Sequence, residues 1–190
     1  MLMENVVIVC GLMGTGKTTF ARQLGKAAGL DMIRSDVVRK QLAQIDVSTH
    51  EYENFGAGIY SPQFTERTYQ ALCDQAAEYL KKGRSVIVDA VFGKQRQRHI
   101  MLDTVRRMGA GLIVVECVCP DDIVRGRLVA RESEGADASD GRWALFPQQK
   151  KSYEPLNVSE GLHHLTVQTH QADSMSGAIE KVCGLLSTSP

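Results

Sequence analysis

The 190-residue sequence has no apolar run approaching the roughly 18 residues that a membrane-spanning helix needs, and its opening, MLMENVVIVC, lacks the basic region and cleavage site of a signal peptide. No membrane association and a cytoplasmic location are therefore expected. Nor is there an excess of charge: 22 Lys and Arg balance 22 Asp and Glu, so no global field draws the chain to nucleic acid, although a local basic patch stays open. Cysteines are few and odd in number. Cys10, Cys73, Cys117, Cys119 and Cys183 lie mostly in apolar segments, which favours reduced, buried thiols over a disulfide framework. Cys117 and Cys119 offer a metal only two soft ligands, with no His or second Cys pair nearby in sequence. Internal repeats are absent, and the length fits a single domain over residues 1–190 with a substantial core.

Against these absences stands one dense feature. Residues 6–18 read VVIVCGLMGTGKT, a β-branched run that breaks into a complete G-x-x-x-x-G-K-[ST] phosphate-binding loop. Gly11, Gly14 and Gly16 let the backbone turn so that successive amides of Met13, Gly14, Thr15, Gly16, Lys17, Thr18 and Thr19 point at phosphate oxygens. Lys17 then reaches the β- and γ-phosphates, and the Thr18 hydroxyl is a ligand for Mg²⁺. A helical pattern follows to Ala28 with Gly29 as its stop, so the loop opens a helix whose positive end faces the phosphates.

The rest of the chain alternates short apolar runs with longer helical patterns. Strands are expected at 6–10, 30–33, 85–90, 112–118 and 164–169, and helices at 17–28, 36–45, 62–82, 94–108, 121–133 and 174–187. That alternation implies a parallel sheet covered on both faces. Two polar, aperiodic stretches, 46–61 and 133–141, are expected to cover a site at the carboxyl ends of the strands.

Polar residues at those strand ends are the candidates for chemistry. Asp36 follows the second strand with Arg39 three residues on, a pairing that fits a base for an attacking hydroxyl beside an anion clamp. Equally open is that Ser35 or Asp36 caps the helix and Arg39 is a solvated face residue. Asp89 ends the run SVIVD, as does the acidic residue that holds Mg²⁺ in phosphate-loop enzymes; the alternative is a strand-terminal turn residue. Arg127 and Arg131, four apart on one helix, can close on nucleotide phosphates or simply face solvent. Arg96 and Arg98 are either surface residues or contacts to a substrate anion. His163 and His164 have no carboxylate or cysteine companion in sequence, and Trp143 with Phe146 is read as an anchor between lid and core.

Taken together, GLMGTGKT, SDVVRKQL, VIVDAVF and RGRLVAR resemble the small phosphate-loop kinases, in particular the zeta-toxin and polynucleotide-kinase-like group and the ATP-binding domain fused to some aminoglycoside-phosphotransferase-like proteins. The resemblance covers nearly the whole chain. It implies a three-layer αβα sandwich with a five-stranded parallel sheet of order 2-3-1-4-5, a substrate-covering segment at 46–61 and a lid at 127–147. It further implies ATP and Mg²⁺ as cofactors and phosphorylation of a hydroxyl. Lys17, Asp36, Arg127 and Arg131 become catalytic, Asp36, Arg39 and Arg98 substrate-binding, and Thr18 and Asp89 metal ligands. A small-molecule acceptor is favoured over nucleic acid, since a basic excess is missing. The alternatives are a nucleotide-dependent switch without an acceptor and a 5′-polynucleotide kinase.

Overall fold

Residues 3–47, 49, 56–134, 140–156 and 163–188 are described by a computed structural model of the chain, with side chains at 133, 134 and 188 left out. Strand β1 (Asn5–Cys10) is buried along its whole length because it runs through the middle of the sheet, which is why it reads as a continuous rather than alternating apolar run. Around it lie β2 (Asp31–Arg34), β3 (Val86–Asp89), β4 (Gly111–Val118) and β5 (His163–Gln168), all parallel, in the order β2-β3-β1-β4-β5. The expected order is therefore the observed one.

Alternation along β1 feeds two cores. Val6, Ile8 and Cys10 join residues of α2 (Ser35–Leu42), α3 (Pro62–Lys81) and α4 (Gln95–Arg107) on one side. Val7 and Val9 meet Phe20, Ala21 and Leu24 of α1 (Lys17–Ala28) and Ala178 and Val182 of α7 (Ala172–Thr188) on the other. Helix α3 shows the sequence logic plainly: Ser61 Oγ accepts from the Phe64 amide, Pro62 occupies the first turn, and Tyr69, Leu72, Cys73, Ala76 and Leu80 form its buried stripe.

A third, smaller cluster has a positional role. Val124 and Leu128 of α5 (Asp121–Glu134) and Phe146 of α6 (Phe146–Ser152) pack against Leu12 and Met13, the two apolar residues inside the glycine-rich loop. Trp143 stacks on Phe146 at 5.1 Å and 17° between planes. The base of the lid is thereby fixed to the loop itself, and α6 is an element that the sequence pattern did not announce. Expected and observed boundaries of the other elements differ by a few residues at most, the largest difference being at the end of α2, where Gln44 at φ 57° follows Ala43.

Candidate active site

The carboxyl ends of β1, β2 and β3 are brought level by register, Val9 opposite Asp89 and Asp89 opposite Arg34. Beyond them opens a cleft of about 770 Å³, lined from the loop side by Gly14, Lys17 and Thr18 and from the facing side by Asp36, Tyr60 and Thr65. Glycine is required where the loop turns under β4: Gly11 has φ 129°, and a Cβ there would run into the Cys117 carbonyl. Gly14, at φ 73°, leaves only 2.9 Å between such a carbon and Val124.

At the loop's end Thr18 Oγ1 donates to Asp89 Oδ2 at 2.6 Å, and Arg34 Nε lies 3.7 Å from the same oxygen. Asp89 therefore ends β3 and lines the cleft rather than sitting in a turn. Two oxygens so placed suit a hard divalent cation, which takes oxygen ligands, so the residues fit Mg²⁺. Lys17 Nζ lies back across the loop and donates to the Leu12 carbonyl at 2.8 Å.

Asp36 is not a helix cap: Arg34 holds that position, and no side chain caps the helix. Its half-buried carboxyl lines the cleft and is held above the ordinary carboxylate range, first by desolvation and then by the negative charge of Asp89, against the opposing pull of Arg34, Lys17 and Arg39. Arg39 is buried rather than solvated. It donates to the Ile59 carbonyl and, at 3.3 Å, to Thr65 Oγ1, and its guanidinium lies 4.7 Å over the Tyr60 ring.

Next to Arg39, the wholly buried Lys40 lies 3.4 Å from Asp140 Oδ1 and donates to the Val47 carbonyl at 3.1 Å. The other oxygen of Asp140 accepts from Tyr60 at 2.6 Å, and desolvation first, then the nearby negative charge of Asp36 and this bond, drive the Tyr60 phenol far up. Parts of both expected covers thus meet at one carboxylate. Of the 46–61 cover, residues 48 and 50–55 lie outside the described residues, as do 135–139 of the other cover.

Three expectations need correction. Arg98 is neither a surface residue nor a cleft residue: 3% exposed, it donates to the carbonyls of Phe92, Glu154 and Pro155 at 2.8, 3.2 and 3.0 Å. Its work is structural, since Phe92 sits at φ 46° and is held there by Arg98 on its carbonyl and Tyr69 Oη on its amide. Arg127 parts company with Arg131. Arg131 lines the cleft, whereas Arg127 donates to the Gly14 carbonyl at 3.4 Å and to Thr169 Oγ1 and its carbonyl at 3.3 and 3.2 Å, bracing the loop against the end of β5. His164 does have a carboxylate companion, Glu116 across the β4–β5 pair at 3.6 Å.

Gln149 was missed altogether. Its Oε1 accepts from the Met13 amide at 2.7 Å, 136 residues away in sequence. A backbone N–H can only donate, so the oxygen must face the loop and the –NH₂ group faces away from that amide. The cysteines meet expectation: all five are free, and burial pushes Cys73 to about 11 and Cys117 to about 12, which makes them poor nucleophiles. Among the described residues there is no cluster of three or more metal-ligating His, Cys, Asp or Glu, and no helix long and apolar enough to cross a membrane.

Residues 6–156 match the AAA_33 family, described as an AAA domain. The chain belongs to that family. Over 135 residues, 71% of its length, this AAA domain is 30% identical to an uncharacterized protein of Mycobacterium tuberculosis (strain ATCC 25618 / H37Rv), of which it spans only 27%. Its fold is that of a sugar kinase from Janibacter sp. HTCC2649, solved unliganded, with a TM-score of 0.70, 20% identity and 99% and 96% of the two chains covered. The Mycobacterium tuberculosis APS kinase in complex with AMPPNP and APS superposes with a TM-score of 0.65 at 18% identity, covering 98% and 99%. The AAA domain therefore has a P-loop kinase-type fold.

Proposed function

We propose that the protein is an ATP-dependent kinase that transfers the γ-phosphate to a hydroxyl of a small molecule, with Asp36 orienting or deprotonating that hydroxyl. The observation that carries this reading is the position of Asp36: a half-buried carboxyl with a raised pKa, in one cleft with Lys17, Thr18 and Asp89. A base whose pKa is moved toward neutrality can accept a proton without being inert at either end of the transfer. In the same reading, the loop amides and Lys17 hold the β- and γ-phosphates, and Arg131 meets the charge spread over the transferring group. Thr18 and Asp89 would hold Mg²⁺, which offsets phosphate charge when bound. Positioning and charge neutralisation supply most of the rate, and exclusion of water limits futile hydrolysis.

Gln149 favours a second reading, a regulatory ATPase without an acceptor, because a glutamine hydrogen-bonded to the phosphate-binding loop is a group that can orient water. The two readings separate in one assay: ATP consumption by the purified protein with Mg²⁺, alone and with sugars, nucleosides, nucleotides, aminoglycosides and 5′-hydroxyl oligonucleotides. A kinase is stimulated by one class. A switch ATPase is indifferent to all of them and loses its basal rate in Gln149→Ala.

A further inference from the structure

The Leu12–Met13 peptide of the glycine-rich loop is held at both of its polar groups. Lys17 Nζ donates to its carbonyl at 2.8 Å, and Gln149 Oε1 accepts from its N–H at 2.7 Å. A trans peptide points those two groups in opposite directions, and the described residues contain no cis bond, so the ammonium and the carboxamide flank the loop from two sides. Gln149 is set there by a rigid support. Three residues before it on α6, Phe146 is buried and packs, with Trp143 stacked on it, against Leu12 and Met13. About one turn to either side of Gln149, Leu145 and Tyr153 line the same cleft as Gly14, Lys17 and Asp89. With its oxygen taken by Met13, the carboxamide keeps two N–H donors, and among the described residues neither has a hydrogen-bond partner.

Resting on the nucleotide binding that the kinase and ATPase readings share, we infer that Gln149 is a ligand of the terminal phosphate. Its oxygen stays anchored on Met13, and its –NH₂ donates to a γ-phosphate oxygen from the side opposite Lys17. The protein thereby tells a nucleoside triphosphate from a diphosphate. A donor fixed in advance loses little freedom on binding, and its bond to a charged oxygen is stronger than one to a neutral acceptor. The amides from Gly14 to Thr18 and the start of α1 serve a diphosphate as well as a triphosphate, so they favour both. Gln149 lies beyond Met13, four residues before that helix begins, where it meets the group that only a triphosphate adds. A glutamine that orients water would leave the affinity for both nucleotides unchanged. One that merely filled the Met13 amide in place of a phosphate oxygen would weaken triphosphate binding, and its removal would strengthen it.

The test compares the affinities of AMPPNP, a triphosphate analogue that resists hydrolysis, and of ADP, each with Mg²⁺, for the wild type, Gln149→Ala and Gln149→Glu by calorimetry. Glutamate keeps an oxygen for the Met13 amide, so the loop stays held, but it loses both donors and adds a negative charge. Thermal melts check that each variant folds, and Gln149→Glu carries the test if the alanine variant does not. Gln149→Ala should lower the affinity for AMPPNP about tenfold, as expected for a lost hydrogen bond to a charged group, and that for ADP by less than about threefold. Gln149→Glu should widen the gap between the two nucleotides further. Equal losses for both would make Gln149 a support of the loop alone, which overturns the inference and leaves both readings of the function standing. Unchanged affinities with a lost rate of ATP hydrolysis, the mark of a water-orienting group, would overturn it too, as would tighter AMPPNP binding by Gln149→Ala. Wild-type protein that binds neither nucleotide removes the nucleotide-binding reading and the inference with it.

Discussion

At the scale of single residues, Asp36 is expected to make the protein less stable than it need be. Its folded carboxyl holds a proton to higher pH than the roughly 3.9 of an unfolded aspartate, so between those two values the folded state binds more protons and unfolding becomes easier as pH rises. Below about pH 4 both states are protonated and the penalty is gone. Asp36→Asn should therefore melt at the wild-type temperature in acid, gain on the wild type as pH rises through this window, and stay above it at neutral pH, as read by thermal melts across pH. A variant equally or less stable at pH 7 would show that the carboxylate is well accommodated. The loop motif and the placement of Asp36, Asp89 and Arg131 at the cleft were legible in the sequence because they follow from local spacing and strand ends. Gln149 was not, since its partner is 136 residues away, nor was Glu116 as the companion of His164, since only strand pairing brings the two together.

Among the elements, the segment after β3 shows why Arg98 was misread. A helix-borne arginine near a presumed site reads as an anion ligand, but tertiary packing turned it inward onto carbonyls that no sequence pattern marks. Arg98→Ala leaves those buried acceptors without a donor and should cost about 3 kcal/mol, lowering the melting temperature by about 10 °C at this chain length. Arg98→Lys should rescue little, because one ammonium cannot reproduce the two-nitrogen reach to Phe92, Glu154 and Pro155. If Arg98 bound the acceptor instead, stability would be unchanged and only the acceptor KM would rise. Helix and strand positions were legible almost to the residue because each carries its own periodicity and stop signal. Helix α6 lacked both, being seven residues long and defined by Phe146 docking on the loop cluster.

Over the whole molecule, charge is the property that carries furthest from the sequence. The balance of 22 against 22 said that no global field favours nucleic acid, and the structure pairs Lys40 with Asp140, Lys94 with Glu154 and Arg96 with Glu66. Binding to a 5′-hydroxyl oligonucleotide should accordingly be weak and nearly flat with salt. A steep loss of affinity between about 50 and 200 mM, the mark of several phosphate contacts, would contradict this and point to a local basic path.

The central claim is that Asp36 serves an acceptor hydroxyl and not the nucleotide. Its most direct test is transfer of labelled γ-phosphate to the best acceptor by Asp36→Asn, measured beside the variant's affinity for ATP. The expected result is ATP binding within about twofold of wild type and transfer reduced by about 10² to 10⁴. Wild-type transfer in Asp36→Asn, or loss of ATP affinity in step with activity, would contradict it.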